Sequence, residues 1–195
     1  MVVNPSFPAS TLSDFIAYAK RSSNAINMGS AGTGGPNHLF AELFKALAGI
    51  NMLHVPYRGA PPAIVDLIAG QIQVLWASIP AVIGYIRAGT LRALAVTTAQ
   101  RSETLPDIPS IGEVLPGYDA SVYFGVGAPK NTPDDIIRRL NHEINAALTD
   151  RKMKTGLEQL GGTALPRSAA DYAKLISDET EKWAKVIRAA NIKPE

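Results

Sequence analysis

The 195-residue sequence contains no cysteine, and this absence excludes disulfides, thiolate nucleophiles and zinc sites built on thiolates. Histidine is almost as rare. His38, His54 and His142 lie far apart in the sequence, without the spacing that is typical of metal ligands. We therefore predict neither a metal site nor a cofactor.

Charged residues are scarce and evenly spread. They make up 18% of the chain, the formal net charge is only +2, and lysine and arginine occur singly rather than in a stripe. This pattern argues against a nucleic-acid partner. With 46% hydrophobic residues, the chain is able to bury the core of one large domain or of two small lobes.

Long apolar runs are missing as well, and none is long enough to cross a bilayer. The first residues, Met1-Val2-Val3-Asn4-Pro5, lack the basic segment followed by an apolar segment that marks a secretory leader. We expect that a leader was either removed or never present.

Apolar residues recur with strand and helix periods in alternation over residues 10–97. Alternation of this kind is typical of an α/β fold, in which helices cover both faces of a parallel sheet. Ser10 and Thr11 are candidate caps of the first helix. The predicted strands span residues 26–28, 52–55, 74–77 and 91–97, of which the last is the longest.

The pattern changes after residue 100. Prolines at 106, 109 and 116 predict an ordered surface loop, and residues 121–126 are expected to be extended. Only helical patterns follow. We predict a capping box with proline at the first helical position in Thr132-Pro133-Asp134-Asp135, a short helix over residues 151–160, and a last long helix capped by Ser168.

The most informative segment is the glycine-rich run Asn27-Met28-Gly29-Ser30-Ala31-Gly32-Thr33-Gly34-Gly35-Pro36-Asn37-His38. It leads from a short strand into a helix, whose first N–H groups and positive dipole end suit an anion. No lysine follows the glycines as in a P-loop, so a carboxylate fits better than a nucleotide. A tight turn that binds nothing fits the same residues.

A second candidate loop is His54-Val55-Pro56-Tyr57-Arg58-Gly59-Ala60, which follows the next predicted strand. In a parallel sheet both loops would face one crevice beyond the carboxyl ends of the strands. There Arg58 would pair with an anion and Tyr57 would donate a hydrogen bond. The alternative is that Arg58 is an ordinary surface residue and Tyr57 packs.

These motifs resemble the tripartite tricarboxylate receptor family, also known as Bug or TctC-like solute-binding proteins. The resemblance covers nearly the whole chain. Besides the two loops, it is carried by Gly89-Thr90-Leu91-Arg92-Ala93-Leu94-Ala95-Val96-Thr97, by Arg101-Ser102 with Leu105-Pro106-Asp107-Ile108-Pro109-Ser110, by Gly125-Val126-Gly127-Ala128-Pro129 with Thr132-Pro133, and by Trp183.

The resemblance implies a type II periplasmic-binding fold, with two α/β lobes around a cleft. It also implies capture of a small carboxylate in the periplasm for membrane transporter subunits. Combining the carried-over glycine loop with the neighbouring strand ends, we predict as ligand-binding residues Ser30, Ala31, Gly32, Thr33, Gly34, Gly35, His38, Tyr57, Arg58, Gly59, Ala77 and Ser78.

Family members have about a third more chain ahead of the point where this sequence begins, so the resemblance implies an incomplete first lobe. Residues 4–122 would form the second lobe with the carboxylate-binding loops. Residues 123–195 would supply a hinge strand and the C-terminal helices of the first lobe. An apolar helical face would then lack its own sheet, and we expect it to find a partner, such as a second copy in a homodimer.

A second departure concerns ligand choice. The family often has an acidic residue near Gln73-Val74-Leu75-Trp76-Ala77-Ser78, where this chain has Ala77. An aspartate there would orient an ammonium or hydroxyl group, whereas alanine would not. The substitution favours plain or aromatic carboxylates over amino acids. Trp76 would either stack on the ligand or, as strand tryptophans more often do, belong to the core.

Two other functions remain open from the sequence. A shortened relative would act as an interaction or sensing module without transport. A hydrolase would use Ser30 with His38 or His54, but the loop lacks G-x-S-x-G and no acid is clearly placed to orient either histidine. We therefore predict a binding protein and not an enzyme.

Overall fold

The computed structural model describes residues 1–21 and 26–193. The chain forms two compact units. The first unit comprises Met1–Val122 together with the end of the chain from Val186 onward, and the second comprises Tyr123–Lys185. The last two residues of the predicted first-lobe segment, 194–195, lie outside the described part of the chain, and the assignment of lobes stays a prediction.

The first unit is built on a mixed five-stranded sheet with the order β3-β2-β4-β1-β5. Strands β2 and β3 are parallel, as are β2 and β4, whereas β1 is antiparallel to both β4 and β5. Four strands therefore share one direction, which confirms a parallel-rich α/β sheet. The strands are β1 Val2–Val3, β2 Asn27–Ser30, β3 Leu53–Pro56, β4 Val74–Leu75 and β5 Arg92–Ala93.

Helices flank this sheet, and others form the second unit. Thr11 caps α1, since its hydroxyl accepts the Asp14 N–H at 3.1 Å, and Ser168 caps α7 in the same way through Asp171 at 3.0 Å. Both caps were predicted. The helices are α1 Leu12–Arg21, α2 Pro36–Ala48, α3 Ala60–Ile68, α4 Ile79–Arg87, α5 Asp134–Thr149, α6 Arg151–Gln159 and α7 Ala169–Ala189.

Two local predictions were wrong. The predicted long strand over residues 91–97 is reduced to β5, because its partner β1 is itself only two residues long, and Val96 instead bridges to Ser110. The capping box at Thr132 does not form, since α5 begins after Pro133 and the Thr132 hydroxyl donates to the Pro129 carbonyl at 2.8 Å. Residues 121–126 pair with no strand, and their extended backbone stays a prediction.

The hydrophobic core lies in the first unit. Trp76 is only 1% exposed, and its ring packs 5.4 Å from that of Phe44, so the core interpretation of this tryptophan is confirmed. A second cluster joins Val2 to Leu67 and Ile72. Strand β1, which sequence patterning missed, is therefore a buried strand, and its two valines lie between β4 and β5.

The second unit contrasts with the first because none of its described residues is classed as buried. Helices α5 and α6 have no buried residue, and Phe124 in the preceding segment is 94% exposed. Among the described residues, no helix is long and apolar enough to cross a membrane.

Candidate ligand-binding site

The predicted site residues lie at one edge of the sheet, where β2, β3 and β4 end and α2, α3 and α4 begin. The two loops run side by side, as predicted. Beyond the last β2–β3 pair, the Tyr57 N–H donates to the Ser30 carbonyl at 3.0 Å and the Gly59 N–H donates to the Ala31 carbonyl at 3.2 Å. The parallel ladder therefore continues into the loops and fixes their relative position.

Backbone geometry explains the glycines of the first loop. Gly32 has φ +147° and Gly34 has φ +73°, conformations that residues with a Cβ rarely adopt. Gly35, by contrast, has φ −71° and precedes Pro36, the first residue of α2. The chain thus turns sharply at two glycines before it enters the helix, and the first N–H groups of α2 face the turn.

The three helices that begin at this edge are not capped by side chains. Gly35, Gly59 and Ser78 are the N-cap residues of α2, α3 and α4, and none of them makes a side-chain hydrogen bond to the helix. None of these helices has an acidic residue in its first turn. The first-turn N–H groups that remain beside the prolines have no intrahelical partner, and they lie with the positive ends of three helix dipoles at one edge.

Arg58 adds a formal positive charge. It lies between the two residues, Tyr57 and Gly59, whose N–H groups bind the first loop, and its side chain is exposed. No ion pair or hydrogen bond is found for its guanidinium among the described residues. Because a surface arginine without a carboxylate partner is available to an anion, the geometry fits the predicted role of Arg58.

Tyr57 has a different position from the one its predicted role requires. Its hydroxyl donates to Asp66 Oδ2 of α3 at 2.6 Å, and its ring packs on the core cluster. Burial and the neighbouring Asp66 carboxylate raise the pKa of Tyr57 to about 12. The hydroxyl proton is therefore engaged within the protein, and the geometry favours the packing alternative over donation to a ligand.

The buried Ser30 side chain stabilises the glycine loop by hydrogen bonds. It is 0% exposed, and its Oγ lies 2.6 Å from His54 Nε2 and 3.0 Å from the Gly32 carbonyl, while it accepts the Gly32 N–H at 3.2 Å. A hydroxyl has one proton and two lone pairs, so these three partners use its full capacity. Ser30 therefore shapes the loop.

His38 holds the same loop from the helix side. Its Nδ1 accepts the Gly34 N–H at 3.1 Å, and its Nε2 lies 3.5 Å from Glu42 Oε1. Burial acts to raise the pKa of Glu42, but hydrogen bonds from His38 and Lys45 outweigh it and leave that pKa below its ordinary value. His38 thus bonds locally in the first turn of α2.

The third part of the edge follows β4. The Asn37 side-chain amide donates to the Trp76 carbonyl and so joins the start of α2 to the end of β4. Ala77 and Ser78 come next and lead into α4, with Ala77 half-buried and Ser78 exposed. The structure therefore brings all three predicted segments to one edge. That their residues bind a ligand stays a prediction.

Sequence reasoning missed several residues of this edge. His38 and His54 stack with ring centroids 3.6 Å apart and an 11° angle, although they are sixteen positions apart in sequence. The contact between Glu42 and His38 was not predicted, although their i,i+4 spacing on α2 indicates that the two side chains are neighbours. Asn37 and Asp66 gave no comparable signal. Within the described ranges, no group of three metal-ligating side chains comes together.

The fold is that of periplasmic solute-binding proteins, and comparison with known proteins specifies the family. The family model described as "Tripartite tricarboxylate transporter family receptor" matches residues 1–192. The chain belongs to this family. Protein BugT of Bordetella pertussis is 34% identical over 99% of this chain and 60% of its own length.

Two similar solved structures are described as ligand complexes. The R. palustris protein Rpa4515 with adipate has a TM-score of 0.84 and 34% identity, over 100% of this chain and 65% of that one. MatC from Rhodopseudomonas palustris with bound malate has a TM-score of 0.74 and 28% identity, over 95% of this chain and 65% of that one. The chain spans only 53% and 60% of the length of two curated relatives.

Proposed function

We propose that this chain captures a small carboxylate at the edge formed by β2, β3 and β4. The observation that carries the proposal is the convergence of three helix starts without caps and without acidic residues around the glycine loop. Such a site supplies N–H donors and positive dipole ends, and both favour a carboxylate. Arg58 supplies the formal charge beside them.

The ligands of two structural neighbours support a dicarboxylate. One neighbour is described with adipate and the other with bound malate, and both molecules carry two carboxylate groups. Ala77 provides no acidic side chain for an ammonium group at the end of β4. We therefore propose plain or aromatic carboxylates as ligands, and amino acids as poor ones.

Isothermal titration calorimetry with adipate, malate, benzoate and glutamate tests this proposal. We expect saturable binding of at least one of the first three acids with one ligand per chain, and much weaker binding of glutamate. Chloride at equal ionic strength is the control for non-specific anion effects. Absence of binding for every acid would contradict the proposal, and preference for glutamate would contradict the role given to Ala77.

We further propose that the bound acid is delivered from the periplasm to a tripartite tricarboxylate transporter. The family's description as a transporter receptor and a structural neighbour described as a periplasmic transporter support this proposal. The proposal includes no catalysis. The Ser30 hydroxyl is buried and engaged by three partners, so it is not presented to a substrate ester. An assay with nitrophenyl esters should show no hydrolysis above that of the S30A variant.

The second unit suggests association with further protein. Leu140 of α5 is 43% exposed and Ile176 of α7 is 51% exposed, and apolar surface of this kind commonly marks an interface. We propose a homodimer through these helices. Native mass spectrometry should show a dimer that Leu140→Gln weakens and that Arg139→Gln, an exposed neighbour, leaves intact. A monomer at every concentration would contradict the proposal.

A further inference from the structure

We propose that His38 and His54 are positioning residues, which hold the glycine loop in its anion-binding shape only while His38 is neutral. The proposal rests on the proposed function, because it concerns the same carboxylate site. In this role the two histidines support the loop from within the protein, and neither ring needs to touch the ligand. Its consequence is that carboxylate affinity falls when the pair takes up a proton.

The protonation state of His38 follows from its partners. The Gly34 N–H is a donor and points at His38 Nδ1, at 3.1 Å, so Nδ1 must carry a lone pair and not a proton. The one ring proton then lies on Nε2, on the side of Glu42 Oε1 at 3.5 Å. The observed loop geometry therefore belongs to a neutral imidazole of defined tautomer.

His54 holds the opposite end of the same loop. Its Nε2 lies 2.6 Å from Ser30 Oγ, and its ring stacks on that of His38 with a centroid distance of 3.6 Å. Ser30 begins the turn and Gly34 nearly completes it, so the stacked rings connect both ends of the turn through two hydrogen bonds. The positions of the intervening N–H groups depend on this internal support.

Protonation acts against this arrangement in two ways. A second proton on His38 must occupy Nδ1, where it would face the Gly34 N–H and replace an acceptor by a donor. A charged His38 would also lie against the His54 ring. Among the charged groups of α2, Glu42 favours the charged form, while Lys45, which binds Glu42 at 2.7 Å, opposes it. A protonated Nδ1 is a donor and no longer accepts the Gly34 N–H, so this hydrogen bond is lost.

Three variants separate positioning from general stability. Asparagine places its Oδ1 near the position of imidazole Nδ1 and does not titrate, so His38→Asn preserves an acceptor for the Gly34 N–H. His38→Leu removes it. His142→Asn changes an exposed histidine of the second unit and is the matched control. Adipate affinity is measured by calorimetry at pH 8 and pH 6 for each variant, and titration of the ligand itself affects all of them alike.

We expect the wild type and His142→Asn to bind adipate about two- to fourfold more weakly at pH 6 than at pH 8, because part of the molecules lose the hydrogen bond to Gly34. His38→Asn should bind more weakly than the wild type by no more than a few-fold at pH 8, with less than half of that pH dependence. His38→Leu should bind weakly at both pH values. Equal pH dependence in the wild type and His38→Asn would overturn the proposal.

Hydrogen exchange of the Gly34 amide tests the pair without any ligand. We expect protection in the wild type at pH 8 that decreases at pH 6 relative to other helix-start amides, persists in His38→Asn and is absent in His38→Leu. If the wild type bound no carboxylate but showed this exchange pattern, the proposed function would fail and the positioning role would stand. Unprotected Gly34 in the wild type at pH 8 would overturn the positioning role.

Discussion

The helix starts of this protein differ according to where they lie. Away from the site, Thr11 caps α1, Asp150 caps α6 and Ser168 caps α7, whereas α5 has no side-chain cap. The first turns of α1, α5 and α7 also contain acidic residues. At the carboxyl edge of the sheet, α2, α3 and α4 have proline in the first turn, no side-chain cap and no acid.

This difference means that α2, α3 and α4 are less stabilised at their first turns than the capped helices are. A capping side chain stabilises a helix by about 1 kcal/mol, and a carboxylate near the first turn adds several tenths. Three neighbouring helices lack both contributions, although the same chain uses both elsewhere. An external carboxylate bound at this edge would satisfy the N–H groups that the sequence leaves open.

The largest effect is expected from placing a carboxylate in the glycine loop. Gly35 is the N-cap of α2, and its φ of −71° accepts any side chain. Gly35→Asp should stabilise α2 and weaken adipate binding by more than about 100-fold, because like charges in one site cost several kcal/mol. Gly35→Asn caps equally well without charge and serves as the control. Calorimetry that found equal affinities for the two variants would contradict the anion site.

A smaller loss should follow from neutralising the arginine of the edge. Arg58→Gln removes a charge-assisted partner of the ligand and should weaken adipate binding by about tenfold. Arg87→Gln removes an exposed charge at the end of α4, far along that helix from its first turn, and should change affinity by less than about twofold. Equal losses in both variants would mean that only net charge matters.

The capped helices should respond in the opposite sense. In Thr11→Ala, α1 loses the acceptor of the Asp14 N–H, and the free energy of unfolding should fall by about 1 kcal/mol. Because α1 begins beyond the other edge of the sheet, adipate affinity should remain unchanged. Thr11→Ser keeps the hydroxyl and is the control for urea unfolding. A loss of affinity in Thr11→Ala would weaken the distinction between the two groups of helices.

The smallest effect concerns Glu42, which supports the site from behind. Its pKa in the folded chain is below the ordinary value, so the ionised form contributes stability at neutral pH that is lost as pH falls through the carboxyl range. Glu42→Gln should therefore reduce stability at pH 7, by less than about 1 kcal/mol, and less at pH 4. Glu103→Gln, on an exposed loop, is the control for the loss of a carboxylate elsewhere in the chain. Urea unfolding at both pH values measures the difference.

Much of the edge was predictable because its determinants are local. Glycine, proline and strand periodicity place the turn between β2 and α2, and parallel order alone brings Arg58 beside it. The family motifs cover the chain almost completely, and the match to residues 1–192 confirms them. Capping at Thr11 and Ser168 was predictable for the same reason, since each side chain bonds within four residues.

The interactions that the sequence did not reveal connect distant segments. The stacking of His38 on His54 depends on the exact register of β2 and β3, and the hydroxyl of Tyr57 finds Asp66 only after α3 has packed. Strand β1 is too short for any periodicity and is defined by its pairing with β4 on one side and β5 on the other. The capping box at Thr132 failed because its hydroxyl bonds backwards to Pro129.

The most direct test of the anion site is a titration of the ¹⁵N-labelled protein with adipate, followed by amide chemical shifts. We expect saturable shifts concentrated at Gly32, Gly34 and the first-turn amides of α2, α3 and α4, with those at the starts of α1 and α7 unchanged. Shifts that are absent, or that appear at the capped helices as strongly as at the uncapped ones, would contradict it.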